Sequence, residues 1–362
     1  MIPLVKPYMP PKEELLPAIE QVLYSGYIAE GEAAWAFEDG VKELIGNPNT
    51  LAVQSGTAAL HLALLLLNVG AGDEVISTPM TSEPTNTAIA ITGAKVVWAD
   101  VDPNTGLLDP ASVRAKITGR TKAIMLVHYA GMVCDMDAFN QLSQETGVPV
   151  IEDAAHSLGA KFNGKVIGSN SRFTCFSFQA IKQLTTVDGG AIAFKNAEDV
   201  APARKLRWFG LDKKVARLQN DITRAGYKYG INNLTGIIGV IQLRHIADVL
   251  GRYIENGRYY DEALKGVGGV TQVPYYPNTE PSYWLYTMKV ENRDDFCRMM
   301  EAAGVTASPL HHRSDTHSVF AASRCDLPHM DEWYRSFVHI PCGWWVDAET
   351  RERIVDSIKK GW

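Results

Sequence analysis

The chain carries no excess of positive charge: 35 lysines and arginines stand against 41 aspartates and glutamates, a formal charge of −6. Such a balance gives no broad electrostatic grip on nucleic acid or an anionic membrane, so an anionic ligand would need a local pocket of donors. Cysteine is scarce and scattered. Cys134, Cys175, Cys297, Cys325 and Cys342 include no CxxC pair, which argues for reduced thiols in a cytosolic setting. A packing role is expected for each. No GxGxxG follows an early strand, so the dinucleotide-binding fingerprint is missing. Long apolar runs are missing too. The most apolar segment, AALHLALLLLNV, is too short to span a bilayer and carries His61, and the opening MIPLVKPYMPPKEELL lacks the apolar core of a secretory signal. The expectation is a soluble, cytoplasmic protein without repeats or low-complexity segments.

What is present fits a globular chain with a sizeable core: 46% of residues are apolar and 21% charged, and the length of 362 suggests roughly two domains. From Asn49 to about Phe194, short apolar runs alternate with helical patterns: TLAV, GDEVIST, AKVVWADVD, TKAIMLVHYAG and VPVIED are strand-like. Continuous apolar strands of this kind belong to a parallel sheet covered on both faces. FTCFSF and GGAIAF follow with little room for a helix between them. A long helical pattern starts near Ile237, and YWLYTMKV, NRDDFCRMMEAAGV with Asn292 as N-cap, FVHIPCGWW and a last helix from Glu349 suggest a smaller α+β unit. The expected division is a large α/β domain over 1–240 and a small one over 241–362.

In open parallel sheets ligands gather at the carboxyl ends of strands, and three such ends carry chemistry. The first is VQSGTAAL, where a strand turns through Ser55, Gly56 and Thr57 into a helix. Backbone N–H groups at a helix start form a phosphate cradle, though an ordinary capped turn looks the same. The second is VPVIEDAAHSLGA, which delivers Glu152 and Asp153 to a strand end ahead of Ala154, Ala155 and His156. A carboxylate there needs a cationic partner, such as a protonated ring nitrogen or an internal salt bridge, or it serves as a helix cap. The third is FSFQAIKQLTTVDGG, where Lys182 has no acidic residue within five positions on either side. A lysine in dry surroundings loses basicity and becomes nucleophilic; a lysine snorkelling to water is the plainer alternative. Phosphate cradle, acid partner and lysine, in that order, match the needs of pyridoxal 5′-phosphate.

Over nearly its whole length the chain resembles the DegT/DnrJ/EryC1/StrS group of sugar aminotransferases. The blocks that carry the likeness are IPLVKPYM with GYIAEG, SGTAALHLAL, EDAAHSLGA, SFQAIKQLTTVDGGAI and GYKYGINNLTGIIGVIQL. The resemblance implies the fold type I, aspartate aminotransferase-like architecture of pyridoxal phosphate enzymes. It puts Lys182 where the family has its Schiff-base lysine and Asp153 on the carboxylate that pairs with the pyridine nitrogen. It puts Gly56, Thr57 and Ser177 on the phosphate, Ala155 beneath the ring, and His156 near the cofactor's hydroxyl and the substrate. It makes Asn233 an asparagine that reaches the phosphate of the neighbouring subunit, which implies a homodimer with shared sites. His311 and Arg313 would border the substrate cleft, with Arg313 suited to a phosphate or carboxylate.

Three positions depart from the pattern. Ser82, in TPMTSEPTN, stands where many relatives stack an aromatic residue on the ring; Gly230 replaces a common arginine and Asp188 a common glutamate. His311, His312, Asp315 and His317 in PLHHRSDTH do not have a regular zinc spacing, and no metal is expected. In RKLRWFGLDKK, Arg207 and Trp208 form a solvated face or meet a nucleotide's diphosphate and base. The resemblance implies amino transfer from L-glutamate to a nucleotide-linked ketosugar, a 4-keto-6-deoxyhexose by preference and a 3-keto sugar as alternative, through pyridoxamine phosphate. The product would be an amino sugar for a surface polysaccharide or a glycosylated metabolite. A non-catalytic, regulatory or ligand-binding protein on the same fold is the competing class; it would be marked by loss of Lys182 or Asp153, and both are present.

Overall fold

The computed structural model describes residues 1–362. Two helices, α1 (Lys12–Leu23) and α2 (Glu32–Ile45), precede an alternation of short elements: β1 (Thr50–Val53), α3 (Gly56–Leu66), β2 (Glu74–Ser77), α4 (Glu83–Ile91), β3 (Lys95–Trp98), α5 (Pro110–Lys116), β4 (Thr121–Val127), α6 (Met136–Thr146) and β5 (Val150–Asp153). A hairpin of β6 (Lys161–Phe162) and β7 (Lys165–Val166) leads to β8 (Phe173–Ser177), β9 (Gly190–Phe194), α7 (Val200–Leu206) and the long α8 (Asn233–Ala263). The remainder is β10 (Val270–Gln272), β11 (Thr279–Glu280), β12 (Tyr286–Val290), α9 (Arg293–Ala302), α10 (Pro328–Ser336), β13 (Phe337–Ile340) and α11 (Ala348–Lys359).

Seven strands form the main sheet in the order β1-β9-β8-β5-β4-β2-β3. Only β9 runs against its neighbours β1 and β8, so the sheet is mostly parallel, as the apolar runs suggested. TLAV and VIED are buried at every position, which is what two covering layers of helix require. Residues 178–189 join β8 to β9 without a helix, and the chain doubles back instead of crossing over. Local signals set the helix ends. Ser55 caps α3 by accepting from the Ala58 N–H, and Asp135 caps α6 in the same way from Ala138. Asn292 does occupy the N-cap of α9, but in a left-handed conformation and without a side-chain cap.

A smaller antiparallel sheet, β10-β12-β13, packs with α9 and α11 around its own apolar core. The expected division at residue 240 falls inside α8, which runs unbroken from the large core to the small one: Tyr253 belongs to the first and Tyr260 to the second. Its early turns lie close on α2. A Cβ on Gly236 would stand 2.5 Å from the Ala34 nitrogen, and one on Gly239 would stand 2.3 Å from the Phe37 ring. By length and composition α8 could cross a membrane, yet it carries buried residues along its length and packs on α1, α2 and α11. Ile2 bridges to Val305, so the first residues lie against the smaller unit.

Candidate active site

The carboxyl ends of β4, β5 and β8 lie level, with Val127 beside Asp153 and Asp153 beside Cys175. At that edge a cavity of about 250 Å³ is lined by Gly56, Thr57, Asp153, Ala155, Ser177, Lys182 and His311, among others. Six of those residues are thus gathered as the sequence suggested from three separate strand ends.

The start of α3 is held in place by close approach. A Cβ on Gly56 would stand 2.9 Å from the Ser177 Cβ, and one on Gly190 would stand 2.5 Å from the Ser55 carbonyl carbon. Glycine at both positions lets the turn sit between β8 and β9. The first N–H groups of a helix have no partner within it; Ser55 satisfies Ala58, which leaves those of Gly56 and Thr57 at the cavity wall.

Strand alternation sends the two carboxylates of β5 opposite ways. Glu152 is fully buried and tied to His128 Nε2 at 2.8 Å, to the Ser171 N–H and to the Thr174 hydroxyl. Burial would raise its pKa, but the His128 and Ser171 bonds outweigh burial and hold it below the usual carboxylate range. Asp153 faces the cavity. Its Oδ2 accepts from Thr85 Oγ1 at 2.7 Å and its Oδ1 from the Ala155 N–H at 3.0 Å. Burial pushes its pKa up, against the pull of those two bonds and of the Lys182 charge. It is a dry carboxylate that a cation in the cavity would satisfy.

Lys182 is 8% exposed. No carboxylate stands within salt-bridge distance of its Nζ; instead the nitrogen lies 3.9 Å from the centroid of the Trp284 ring. Burial lowers its pKa to about 7, with Asp153 opposing. The snorkelling alternative is therefore set aside. His156 is buried and stacks on the other ring system of this cluster, Trp284, at 4.0 Å. Burial and then the Lys182 charge keep it neutral, and its Nε2 has no partner. His311 lines the cavity, lies nearly parallel to His156 at 5.7 Å, and is pushed down to about 4 by burial and by Lys182. The sequence reading missed both Trp284 and Thr85. Trp284 reads as one more aromatic in YWLYTMKV, and Thr85 as an ordinary residue of a helix's first turn; nothing local marks either.

Two expected site residues, Asn233 and Arg313, are not among those that line the cavity. Asn233 faces into its own chain: its Oδ1 accepts from the Ala34 N–H and its Nδ2 donates to the Tyr27 carbonyl, so its amide joins the start of α8 to α2 and to the segment before it. Arg313 is held by both oxygens of Asp315 and by Asp331, and it is not part of the cavity wall. The same holds for Arg207, which is buried against Glu38, Glu30 and the Ala52 carbonyl and cannot meet a diphosphate. Of the PLHHRSDTH side chains, Asp315 is taken by Arg313 and His311 turns toward Tyr129, so no three gather as metal ligands. Ser82 lines the cavity with Glu83 and Pro84, so no aromatic ring covers that side.

A second, larger cavity of about 680 Å³ shares Ser55 and Asp188 with the first and is lined by Glu30, Trp208, Lys228, Gly230 and Asn232. Lys228 has no ion-pair partner among the salt bridges that its neighbours Arg207 and Lys213 make with Glu30.

The model of the DegT/DnrJ/EryC1/StrS aminotransferase family matches residues 11–359. The sequence is 36% identical over 329 residues to the UDP-4-amino-4-deoxy-L-arabinose–oxoglutarate aminotransferase of Shewanella sediminis, covering 86% of this chain and 83% of that protein. The sugar aminotransferase CalS13 of Micromonospora echinospora, also 36% identical, superposes with a TM-score of 0.96 over 100% of each chain. The PLP-form of Spr1654 from Streptococcus pneumoniae is 25% identical, with a TM-score of 0.89 over 99% of this chain and 98% of that one.

Proposed function

Because this chain belongs to the DegT/DnrJ/EryC1/StrS aminotransferase family, we propose that it holds pyridoxal phosphate at Lys182 and moves the amino group of L-glutamate to a keto carbon of a nucleotide-linked sugar. It is a sugar aminotransferase with the fold type I architecture of its structural neighbours. The observation that carries the finer reading is Lys182 itself: a buried amine with no carboxylate in contact, in one cavity with a helix start and a buried carboxylate.

The residues fit the cofactor. The Gly56 and Thr57 N–H groups and the Ser177 hydroxyl suit its phosphate, Ala155 suits the ring's underside, and Asp153 is the dry carboxylate that a protonated pyridine nitrogen would satisfy. When bound, pyridoxal phosphate supplies an aldehyde for the amino group and a ring that draws electrons from the adjoining carbon. Asp153, aligned by Thr85 and the Ala155 N–H, would keep that ring's nitrogen protonated. Lys182, neutral in a good fraction of molecules near pH 7, takes the proton from Cα of the amino donor. In the second half-reaction its Nζ gives a proton to the sugar carbon that receives nitrogen. His156 and His311, both kept neutral, can offer hydrogen bonds to substrate hydroxyls without repelling the Lys182 charge.

A relative named for a UDP-linked 4-amino sugar and for oxoglutarate supports a nucleotide-linked 4-keto substrate and glutamate as donor. A 4-keto-6-deoxyhexose is the preferred acceptor class. A homodimer with shared sites is supported by the larger cavity, which is lined in part by Ser55 and Asp188, and by exposed Tyr27, Trp35 and Val215, which line a cleft that shares Glu30 and Trp208 with it. The deciding experiment is the visible absorption spectrum with pyridoxal phosphate, before and after L-glutamate. A visible band that fades with glutamate and returns with 2-oxoglutarate is expected. A protein that gives no visible band with the cofactor leaves Lys182 without this role.

A further inference from the structure

Residues 282–284 are held against the Lys182 segment by contacts with the loop after β4 and with α8. The Ser282 N–H donates to the Gly131 carbonyl and the Leu285 N–H to the Ala130 carbonyl, pinning the segment to the loop after β4. Tyr283 has φ +48° and Ala130 has φ +57°, left-handed conformations that side chains with a Cβ seldom adopt. Surroundings must hold such residues in place. Tyr283 is fixed by a 2.6 Å bond from its hydroxyl to Asp261 Oδ2, and its ring rests where a Cβ on Gly257 would intrude at 2.2 Å. A Cβ on Gly131 would likewise stand 2.7 Å from the Tyr283 nitrogen. The result of this construction is the placement of one side chain, the fully buried Trp284.

Trp284 reaches the lysine segment twice over. Its ring lies under Lys182 Nζ at 3.9 Å, and its Nε1–H donates to the Ile181 carbonyl at 2.9 Å. On the other flank, Gln183 Nε2 donates to Ser282 Oγ at 3.2 Å. The residues on either side of Lys182 are thus tethered to the residues that carry Trp284. His156 is stacked on the same indole, with ring centroids 4.0 Å apart.

We propose that Trp284 is the positioning residue of Lys182, seating the amine on its indole face and fixing the main chain on both sides of it. An aromatic face attracts an ammonium through its quadrupole but makes no directional bond to it, and it has little hold on the neutral amine. A carboxylate in the same place would trap the lysine in its charged form. The indole instead keeps Nζ within the cavity and leaves it free to swing to an aldehyde and back. The other titratable groups facing Lys182 are Asp153 at the end of β5, His156 after it, His311 from the segment before α10, and Asp188 and Glu83 on the cavity wall. None of them makes a salt bridge to Nζ.

This inference rests on the role proposed above for Lys182, and one experiment separates the two. The full chain, freed of cofactor, is trace-labelled with acetic anhydride across a pH series, and acetylation of Lys182 is read by mass spectrometry. Trp284→Leu keeps an apolar wall but removes the aromatic face, so the Lys182 midpoint is expected to fall by about half to one pH unit, because the charged form loses its partner while burial stays. Trp284→Phe retains a face and is expected to shift the midpoint by less than half as much; it also tests the inference should the leucine variant fail to fold. A midpoint that is unmoved or raised in both variants overturns the role of Trp284. Protection of Lys182 from acetylation by pyridoxal phosphate is the control for the underlying reading: no protection in the unmodified chain sinks that reading, whereas normal protection with an unmoved midpoint sinks only this inference.

Discussion

At the scale of single residues, legibility depended on whether a side chain's partners lie nearby in sequence. Lys182 and Asp153 stood out because their local surroundings are anomalous: a lysine without acids, a carboxylate at the end of an apolar strand. For Arg313 and Asn233 the sequence displays a charge or an amide but not the groups within the chain that occupy it, here Asp331 and the Ala34 N–H. For Lys182 the linkage to stability has a definite sign. Its folded pKa of about 7 lies below the ordinary 10.5, so between those values the unfolded chain holds a proton that the folded chain has released. The protein therefore gains stability as pH rises from about 7 toward 10.5. Lys182→Met removes that dependence and should abolish turnover. Urea unfolding of the cofactor-free chains should show the variant's stability advantage at its greatest at and below neutral pH, and shrinking as pH rises. For Asn233→Ala, loss of the bond to the buried Ala34 N–H should cost about 2 kcal/mol in the same assay.

Among the elements, the apolar runs announced the strands well, since a strand covered on both faces has little choice of composition. Their order in the sheet was not legible. The neighbours of β9 are β1 and β8, and the first of these pairings joins segments far apart in the chain. The division of the chain was also hidden, because α8 keeps one helical pattern while its buried face passes from one core to another. The glycines within it have a packing reason. Gly236→Ala would gain helix propensity of about 1 kcal/mol but would drive a methyl group into the backbone of α2 at Ala34. Overpacking of that kind costs about 1–3 kcal/mol and should win, so the variant should unfold at lower denaturant concentration than the parent. An unchanged or raised midpoint would mean that α2 can yield.

For the whole molecule, the sequence conveyed a fold and a family through blocks whose spacing is as telling as their content, and the match over residues 11–359 bears this out. It could not convey assembly, which depends on the shape of the exposed surface. Leu218 is fully exposed, with Val215, Ile222 and Trp35 also open to solvent. If two copies share their sites there, Leu218→Asp should lower the sedimentation coefficient from dimer toward monomer and weaken cofactor retention in step. A variant that stays dimeric would place the interface elsewhere. The unbroken course of α8 bears on motion. A helix of 31 residues is about 46 Å long, and this one is rooted in both cores with no proline inside it. It offers no hinge at which the smaller unit could rotate, so admitting a substrate falls to the loops around the cavities. Amide exchange in the middle of α8, near Tyr253, should accordingly be as slow as global unfolding and unchanged by ligand, while residues 209–230 should exchange fast and slow down on binding. The enzyme would then work as a fixed frame with a mobile rim, its turnover limited by loop ordering and not by the swing of a domain.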